Sequence, residues 1–298
     1  INAAKFDEDF GNIQISEFTE EDISMNPSKN LVEIATTAPN VERAGSVRAS
    51  NSEFKIRGME DTRITTKIDG SKTNFRGEYK GRNFISPFML SGISVSRGSN
   101  SVLDGSGAIA GSVNFTTKDA EDIKLREDQT FGGELFSSYS TNGYMQNYAG
   151  SAFAIKDGLS LVGMYSFTAN NDFKASEEVP IAYTENKVNN GVIKLKKSFS
   201  SEEFIEFYSG LFQESGESTS NPFRLTNAGD PVNRDLTNIR EAFELNLSFL
   251  NLKAFYDKTN IKEDLIAGER RDTTDFISYG FNVFGKYSYK TKGLNNMF

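Results

Sequence analysis

Beyond about residue 123 apolar and polar side chains alternate along most of the chain. Phe243, Leu245, Leu247 and Phe249 fall on one face, and Glu244, Asn246 and Ser248 on the other. Ile277, Tyr279, Phe281, Val283 and Tyr287 alternate with Ser278, Asn282, Lys286 and Ser288, and Ile205, Phe207 and Leu211 with Glu206, Tyr208 and Gly210. Leu159, Leu161, Tyr165 and Phe167 do so less cleanly. A period of two predicts strands. Further strands are expected near 131–140, 145–156, 191–200 and 251–260, about eight in all. Most exceed the roughly 9–11 residues that cross a bilayer when tilted. Short turns (Lys156-Asp157-Gly158, Ser200-Ser201-Glu202) separate them in alternation with longer polar loops, expected at 170–188 and 214–238. That alternation of short and long connections fits a membrane barrel, but the strand pattern alone fits a soluble β-sandwich as well.

The first 122 residues read differently. Residues 11–18 alternate as a strand, and Thr19 to Ile23 read as a short acidic turn or a helix start. A helix is predicted over 27–35, with Asn26 or Ser28 as N-cap. Strands follow at 54–57 and 63–68, the latter closed by an Asp69-Gly70 turn. A helical turn at 87–90 leads to a strand at 93–97, and 112–117 is the last strand of this region.

Composition narrows the function classes. Histidine and cysteine are absent from the 298 residues. Their absence removes the Ser-His-Asp triad, the commonest general base, thiolate metal sites and disulfides. A net charge of −8 argues against nucleic acid as a partner. No apolar run approaches the roughly 18 residues of a membrane helix, which leaves a barrel open. Gly105-Ser106-Gly107 with Gly111 imitates a dinucleotide loop. Its third glycine comes one place late and a strand follows instead of a helix, so nucleotide binding is rejected. Acidic pairs such as Glu20/Glu21 and Glu202/Glu203 read as solvated turns, and no enzyme site is expected.

The order of four short segments is the specific signal. Phe54 to Gly58, Arg63 to Gly70, Val95 to Gly98 and Gly105 to Gly111 follow one another over about sixty residues. Together they resemble the plug domain of TonB-dependent outer-membrane receptors. The resemblance covers roughly residues 12–122. It implies an α+β plug over 1–122 followed, over 123–298, by antiparallel strands of a transmembrane β-barrel. Eight strands enclose only side chains, whereas a plugged lumen needs the roughly 22-strand class. The strands are therefore expected to be the N-terminal part of a larger barrel. The chain lacks a signal peptide and reads as mature sequence. Residues 1–9 show no evident TonB box, and Phe298 after the turn-like 290–297 reads as a cut.

Within that family the chain is most similar to the haem and haemoglobin branch. Asn74 to Pro87 resembles that branch's loop after the Asp-Gly turn, and Asp119-Ala120-Glu121-Asp122-Ile123 its plug exit. Leu103-Asp104-Gly105 departs from the usual L-Y-G. The resemblance implies a receptor in the outer membrane of a Gram-negative bacterium, in contact with its lipid. The receptor takes up haem, free or from a haemoprotein, and is energised by TonB. Haem is then cargo, with no permanently bound cofactor. Tyr79 stands where the branch often carries a ligating histidine, and tyrosinate is an accepted ferric haem ligand. Arg76, Lys80 and Arg82 flank it and suit haem propionates. Arg57, Arg63 and Arg97 are expected to be buried and paired with wall carboxylates. Gly58, Asp69, Gly70, Gly98, Gly105, Gly107 and Gly111 are expected to serve turns and close backbone approaches. The rival readings are a siderophore receptor of the same architecture and a non-transporting β-sandwich adhesin.

Overall fold

The computed structural model describes residues 14–25, 30–45, 48, 52–73, 81–98, 108–175, 179–221 and 229–285. The N-terminal half is built on a mixed sheet. Its strands are β1 (Gln14–Thr19), β4 (Ile64–Ile68), β5 (Ser71–Lys72), β6 (Leu90–Arg97) and β7 (Gly111–Thr117), in the order β1-β6-β7-β4-β5. Among the described residues only β4 and β7 pair in parallel. A separate hairpin joins β2 (Val41–Gly45) to β3 (Ser52–Ile56). Helices α1 (Glu20–Ser24) and α2 (Leu31–Ala35) precede it. Thr19 and Asn30 cap them through reciprocal bonds with Asp22 and Glu33. The expected helix over 27–35 is therefore shorter, and its N-cap is Asn30 rather than Asn26 or Ser28, which lie outside the described residues. Asn30 and Glu33 make the capping pair that neither earlier residue has at that spacing. Phe54, Ile56, Ile64, Val95, Val113 and Phe115 form the buried core beneath these elements.

The turns fall where the motif residues stand. Asp69 (φ 47°) and Gly70 (φ 74°) both adopt left-handed backbone. They close the two-residue hairpin between β4 and β5. The Asp69 carboxylate accepts from the Thr117 N–H at 2.8 Å and its hydroxyl at 2.7 Å. It thereby ties the hairpin to the end of β7. Gly111 has φ 156°, and a Cβ there would lie 2.1 Å from the Ser96 carbonyl oxygen.

After α3 (Ala120–Ile123) the chain enters one antiparallel sheet of eight strands in sequence order. They are β8 (Phe131–Ser140), β9 (Met145–Lys156), β10 (Leu159–Asn170), β11 (Asn186–Ser198), β12 (Phe204–Thr219), β13 (Pro231–Leu247), β14 (Leu250–Leu265) and β15 (Arg271–Gly285). β8 and β15 are its two edges, so among the described residues this wall is open. The loop expected at 214–238 is much shorter. β12 runs on to Thr219 and β13 begins at Pro231, with an unbroken ladder from Thr219↔Pro231 to Phe204↔Asn246. Apolar alternation is obscured there because Glu214, Ser218, Arg234 and Asn238 are buried on the same face as Val232 and Leu236.

The two faces of the wall are inverted relative to a soluble sheet. Phe207, Leu211, Ile193, Phe243, Tyr279 and Phe281 point away from the N-terminal domain and are exposed. Glu206, Glu214, Arg234, Asn238, Arg240 and Asp257 point towards it and are buried. In a β-sandwich the apolar face would be covered by a second sheet. Here that face is uncovered, as lipid contact requires. Glu241 interrupts it between Ile239 and Phe243, and accepts a bond from Ser209 Oγ at 2.9 Å.

Replacing Gly111 by Ala is expected to destabilise the N-terminal domain by about 2–4 kcal/mol, because backbone has to move. Gly58→Ala, with φ 78° but open space around the new methyl, is expected to cost about 1 kcal/mol. Denaturant midpoints of the two variants, each compared with the parent, check the difference.

Candidate functional site

The residues chosen from the sequence are brought together only in part. Arg76, Tyr79, Lys80, Gly105 and Gly107 lie outside the described residues. The two ends of the 74–80 segment are described, and both are fixed. Before it, Thr73 N–H donates to the Thr66 carbonyl at 2.9 Å, and Thr73 Oγ1 accepts from Arg240 of β13 at 2.5 Å. After it, Arg82 is buried and its Nε donates to Glu53 of β3 at 2.9 Å. Asn83 donates to the Ser52 carbonyl at 3.0 Å, and Phe84 packs against Phe212 with ring centroids 5.6 Å apart. Arg82 thus anchors the root of the segment, a correction to its expected place beside propionates.

The expected roles of three arginines are also corrected. Arg57 and Arg63 are exposed. What the fold uses at these positions is backbone: Arg57 takes φ 51° in a turn with Gly58, and the Arg63 carbonyl accepts from the N–H groups of Ile109 and Ala110 at 3.1 and 2.9 Å. Arg97 is buried, but it donates to the Pro39 carbonyl at 2.8 Å and to Ser16 Oγ at 3.0 Å. Among the described residues none of the three pairs with a wall carboxylate. Gly98, at φ 125°, donates its N–H to Ala110 at 2.9 Å.

Other residues fasten the N-terminal domain to the wall. Arg48 Nε donates to Glu214 of β12 at 2.9 Å, with both side chains about 1% exposed. Lys118 bridges Glu20 of α1 at 2.7 Å and Glu134 of β8 at 2.6 Å. Asp119 accepts from Lys194 and, at 3.0 Å, from Lys196, both on β11. Lys253 of β14 donates to the Asp69 carbonyl. The Ser86 N–H donates to Asn190 Oδ1 at 2.6 Å. No spacing in the sequence marks Arg48 or Lys118. Asp119 stands in the exit motif, which gave it no partner.

Asp119 and Asp122 are set in opposite directions by their surroundings. Burial would raise the Asp119 carboxyl, but the ammonium groups of Lys194 and Lys196 overcome it and hold the group below its ordinary value of 3.8. Asp122 is raised chiefly by burial, against the Asp119 N–H that it accepts at 2.7 Å. Asp119 therefore contributes stability that is complete above the ordinary carboxylate value and is lost as pH falls through its lowered one. Asp122 contributes in the opposite sense, since its protonation favours the folded form. Asp119→Asn is expected to lower stability at pH 7 by about 1–3 kcal/mol, since it leaves two lysines short of a partner. Asp122→Asn is expected to be neutral or stabilising. Unfolding of both variants at pH 7 and again near pH 3.5 checks the contrast, which should shrink in acid.

Residues 11–112 match the family described as TonB-dependent Receptor Plug Domain. Among curated proteins, a TonB-dependent heme receptor A of Haemophilus ducreyi is 32% identical over 180 residues, covering 59% of this chain and 24% of the relative. A heme transporter BhuA of Brucella suis is 26% identical, covering 92% of this chain and 45% of the relative. The chain thus spans less than half the length of either relative. Among solved structures, the FrpB iron transporter of Neisseria meningitidis in its apoprotein form superposes with a TM-score of 0.76 at 19% identity, covering 91% of this chain and 44% of that one. That likeness concerns the fold, and it agrees with the inverted wall and the domain seated on its polar face. The plug match, the receptor relatives and the barrel neighbour thus agree: residues 11–112 are similar to the plug, and the strands after them to the first part of the barrel, of TonB-dependent receptors.

Proposed function

We propose that the protein of which this chain is part takes up haem across the outer membrane of a Gram-negative bacterium. Residues 1–122 act as the plug, and 123–298 supply the first strands of the barrel. The observation that carries this reading is the wall itself, with its apolar face outward and its charged face holding the plug. The names of the curated relatives supply the cargo, which is haem in both. The energy arrives through TonB, engaged on the periplasmic side by the segment before about residue 12. The protein catalyses no reaction, and haem is cargo rather than a resident cofactor. A haemoprotein is its source at the cell surface.

The wall gives the plug a direction. Lys253, which holds the Asp69-Gly70 turn, lies three residues from the start of β14 at the short Ser248-Phe249 turn. Arg240, which holds Thr73, lies farther along β13 towards the longer 220–230 connection. Short turns belong to the periplasmic end of such barrels and long loops to the outer end. Thr73, the described residue that precedes Asn74, therefore lies on the exterior side of the Asp69-Gly70 turn. Arg76, Tyr79 and Lys80 of the 74–80 segment are the proposed cargo contacts, with the Tyr79 phenolate on the haem iron. Arg82 is proposed only as the anchor of that segment.

In the full-length receptor, Tyr79→Phe removes one oxygen. It is expected to abolish the phenolate-to-iron charge-transfer band and to weaken ferric haem binding by about 1–3 kcal/mol. An unchanged spectrum and affinity would make Tyr79 a bystander and favour a cargo held without an axial ligand, as in the siderophore reading.

A further inference from the structure

Near its short turns the wall carries a charged rung. Lys196 of β11, Glu206 of β12, Glu244 of β13 and Lys253 of β14 stand directly opposite one another in successive ladders. They lie on the face turned to the plug, since their neighbours Leu195, Phe207 and Phe243 are exposed on the other. Lys194, two residues before Lys196, shares the inner face and is buried. Like charges therefore meet in the middle of the rung, where Glu206 faces Glu244. Such a pair is unfavourable by itself, and here a lysine stands at each end of it.

The two ends are occupied differently. At one, Lys253 bonds Glu244 at 2.7 Å and also donates to the plug's Asp69 carbonyl. At the other, Lys194 and Lys196 both donate to the plug's Asp119, and Glu206 is left over. Its oxygens stand 3.8 Å from Lys194 and 3.9 Å from Lys196, beyond hydrogen-bond distance. Lys196 already leans on β12, with its ammonium 4.5 Å from the centre of the Phe204 ring. A turn of the flexible four-carbon stem brings either ammonium the rest of the way.

We propose that Glu206 is a receiving partner, to which the wall lysines are handed from Asp119 when the plug leaves the wall. Asp119 and Glu206 compete for the same two ammonium groups. With the plug seated, Asp119 holds them. With it withdrawn, Glu206 takes one at hydrogen-bond distance. Without Glu206 both ammonium groups would lose their partner at once, and withdrawal would be correspondingly costly. The exchange is incomplete by design of the rung: Glu206 and Glu244 are two carboxylates for Lys194, Lys196 and Lys253. One positive charge therefore stays behind and draws Asp119 back. The exchange needs a plug that leaves the wall, as the proposed uptake does, but it is independent of the cargo.

The chain contains no cysteine, so a single introduced thiol reports the opening. Ala120, next to Asp119, is buried. In the full-length receptor carrying Ala120→Cys, the rate of labelling by a hydrophilic maleimide is measured in urea too dilute to abolish the barrel's heat-modifiable migration. Glu206→Gln is expected to slow labelling at least about fivefold, because the lysines lose their alternative acceptor. Asp119→Asn is expected to speed it at least about fivefold. In that background Glu206→Gln is expected to change the rate less than about twofold, because there is no longer a competition to win. Glu206→Asp, with the charge on a shorter stem, is expected to fall between the parent and Glu206→Gln. Parental or faster labelling in Glu206→Gln would overturn the proposal, since Glu206 would then only support the lysines of the seated state. An equal effect of Glu206→Gln with and without the Asp119 carboxylate would overturn it as well. If Glu206→Gln does not assemble, Glu206→Asp decides by the same sign: slower labelling supports the exchange, and parental or faster labelling overturns it. None of these rates involves haem, so a failure here leaves the haem reading standing, and a receptor that binds no haem leaves the exchange standing.

Discussion

The rest of the structure depends on a wall that must keep its apolar face outward. Phe207, Leu211, Ile193 and Phe281 are spent on the exterior, so the interior is left with Glu206, Glu214, Arg234, Arg240 and Asp257. A domain seated against such a face cannot be held by hydrophobic burial alone. It must bring opposite charge and hydrogen-bonding groups to matching positions. Arg48, Lys118, Asp119 and Thr73 do so, on β12, β8, β11 and β13 respectively. Buried ion pairs give little net stability, because desolvation offsets most of the attraction. Removing one partner is nevertheless costly, so the pairs fix where the plug sits more than how strongly it is held.

That division suits the plug movement that the proposed uptake requires. An interface of apolar side chains would resist separation in proportion to its area. An interface of ion pairs can exchange partners with water as it opens, and among the described residues the apolar contacts between plug and wall form two patches, one around Met164 and Val192 towards the short turns and one where Phe84 meets Phe212, Leu236 and Ile261.

Much of this was legible in the sequence, for particular reasons. The period-two runs in β10 to β15 showed because the outward face is apolar and water-avoiding side chains recur at every second place. Asp69-Gly70 showed because a two-residue hairpin needs left-handed backbone at both positions, and Asp-Gly tolerates it. The extensions of β12 and β13 did not show. Their buried residues mix Glu214, Ser218, Arg234 and Asn238 with Val232 and Leu236, so no apolar period stands out. The roles of Arg48 and Lys118 were hidden for the same reason: a charge that becomes a buried anchor looks, in one dimension, like a solvated one. Arg57 and Arg63 misled in the opposite direction. Their positions are demanded by backbone geometry, and their guanidinium groups stay exposed.

The central claim is that β12 meets lipid on one face and plug on the other. Site-directed spin labels at consecutive positions from Phe207 to Phe212, in the full-length receptor in bilayers, test it most directly. The account predicts that labels at Phe207, Ser209 and Leu211 are accessible to membrane-dissolved oxygen, and that labels at Tyr208, Gly210 and Phe212 are protected from both oxygen and a water-soluble relaxant. Protection of Phe207 and Leu211 from oxygen, with the opposite face open to water, would contradict it and return the strands to a soluble sandwich.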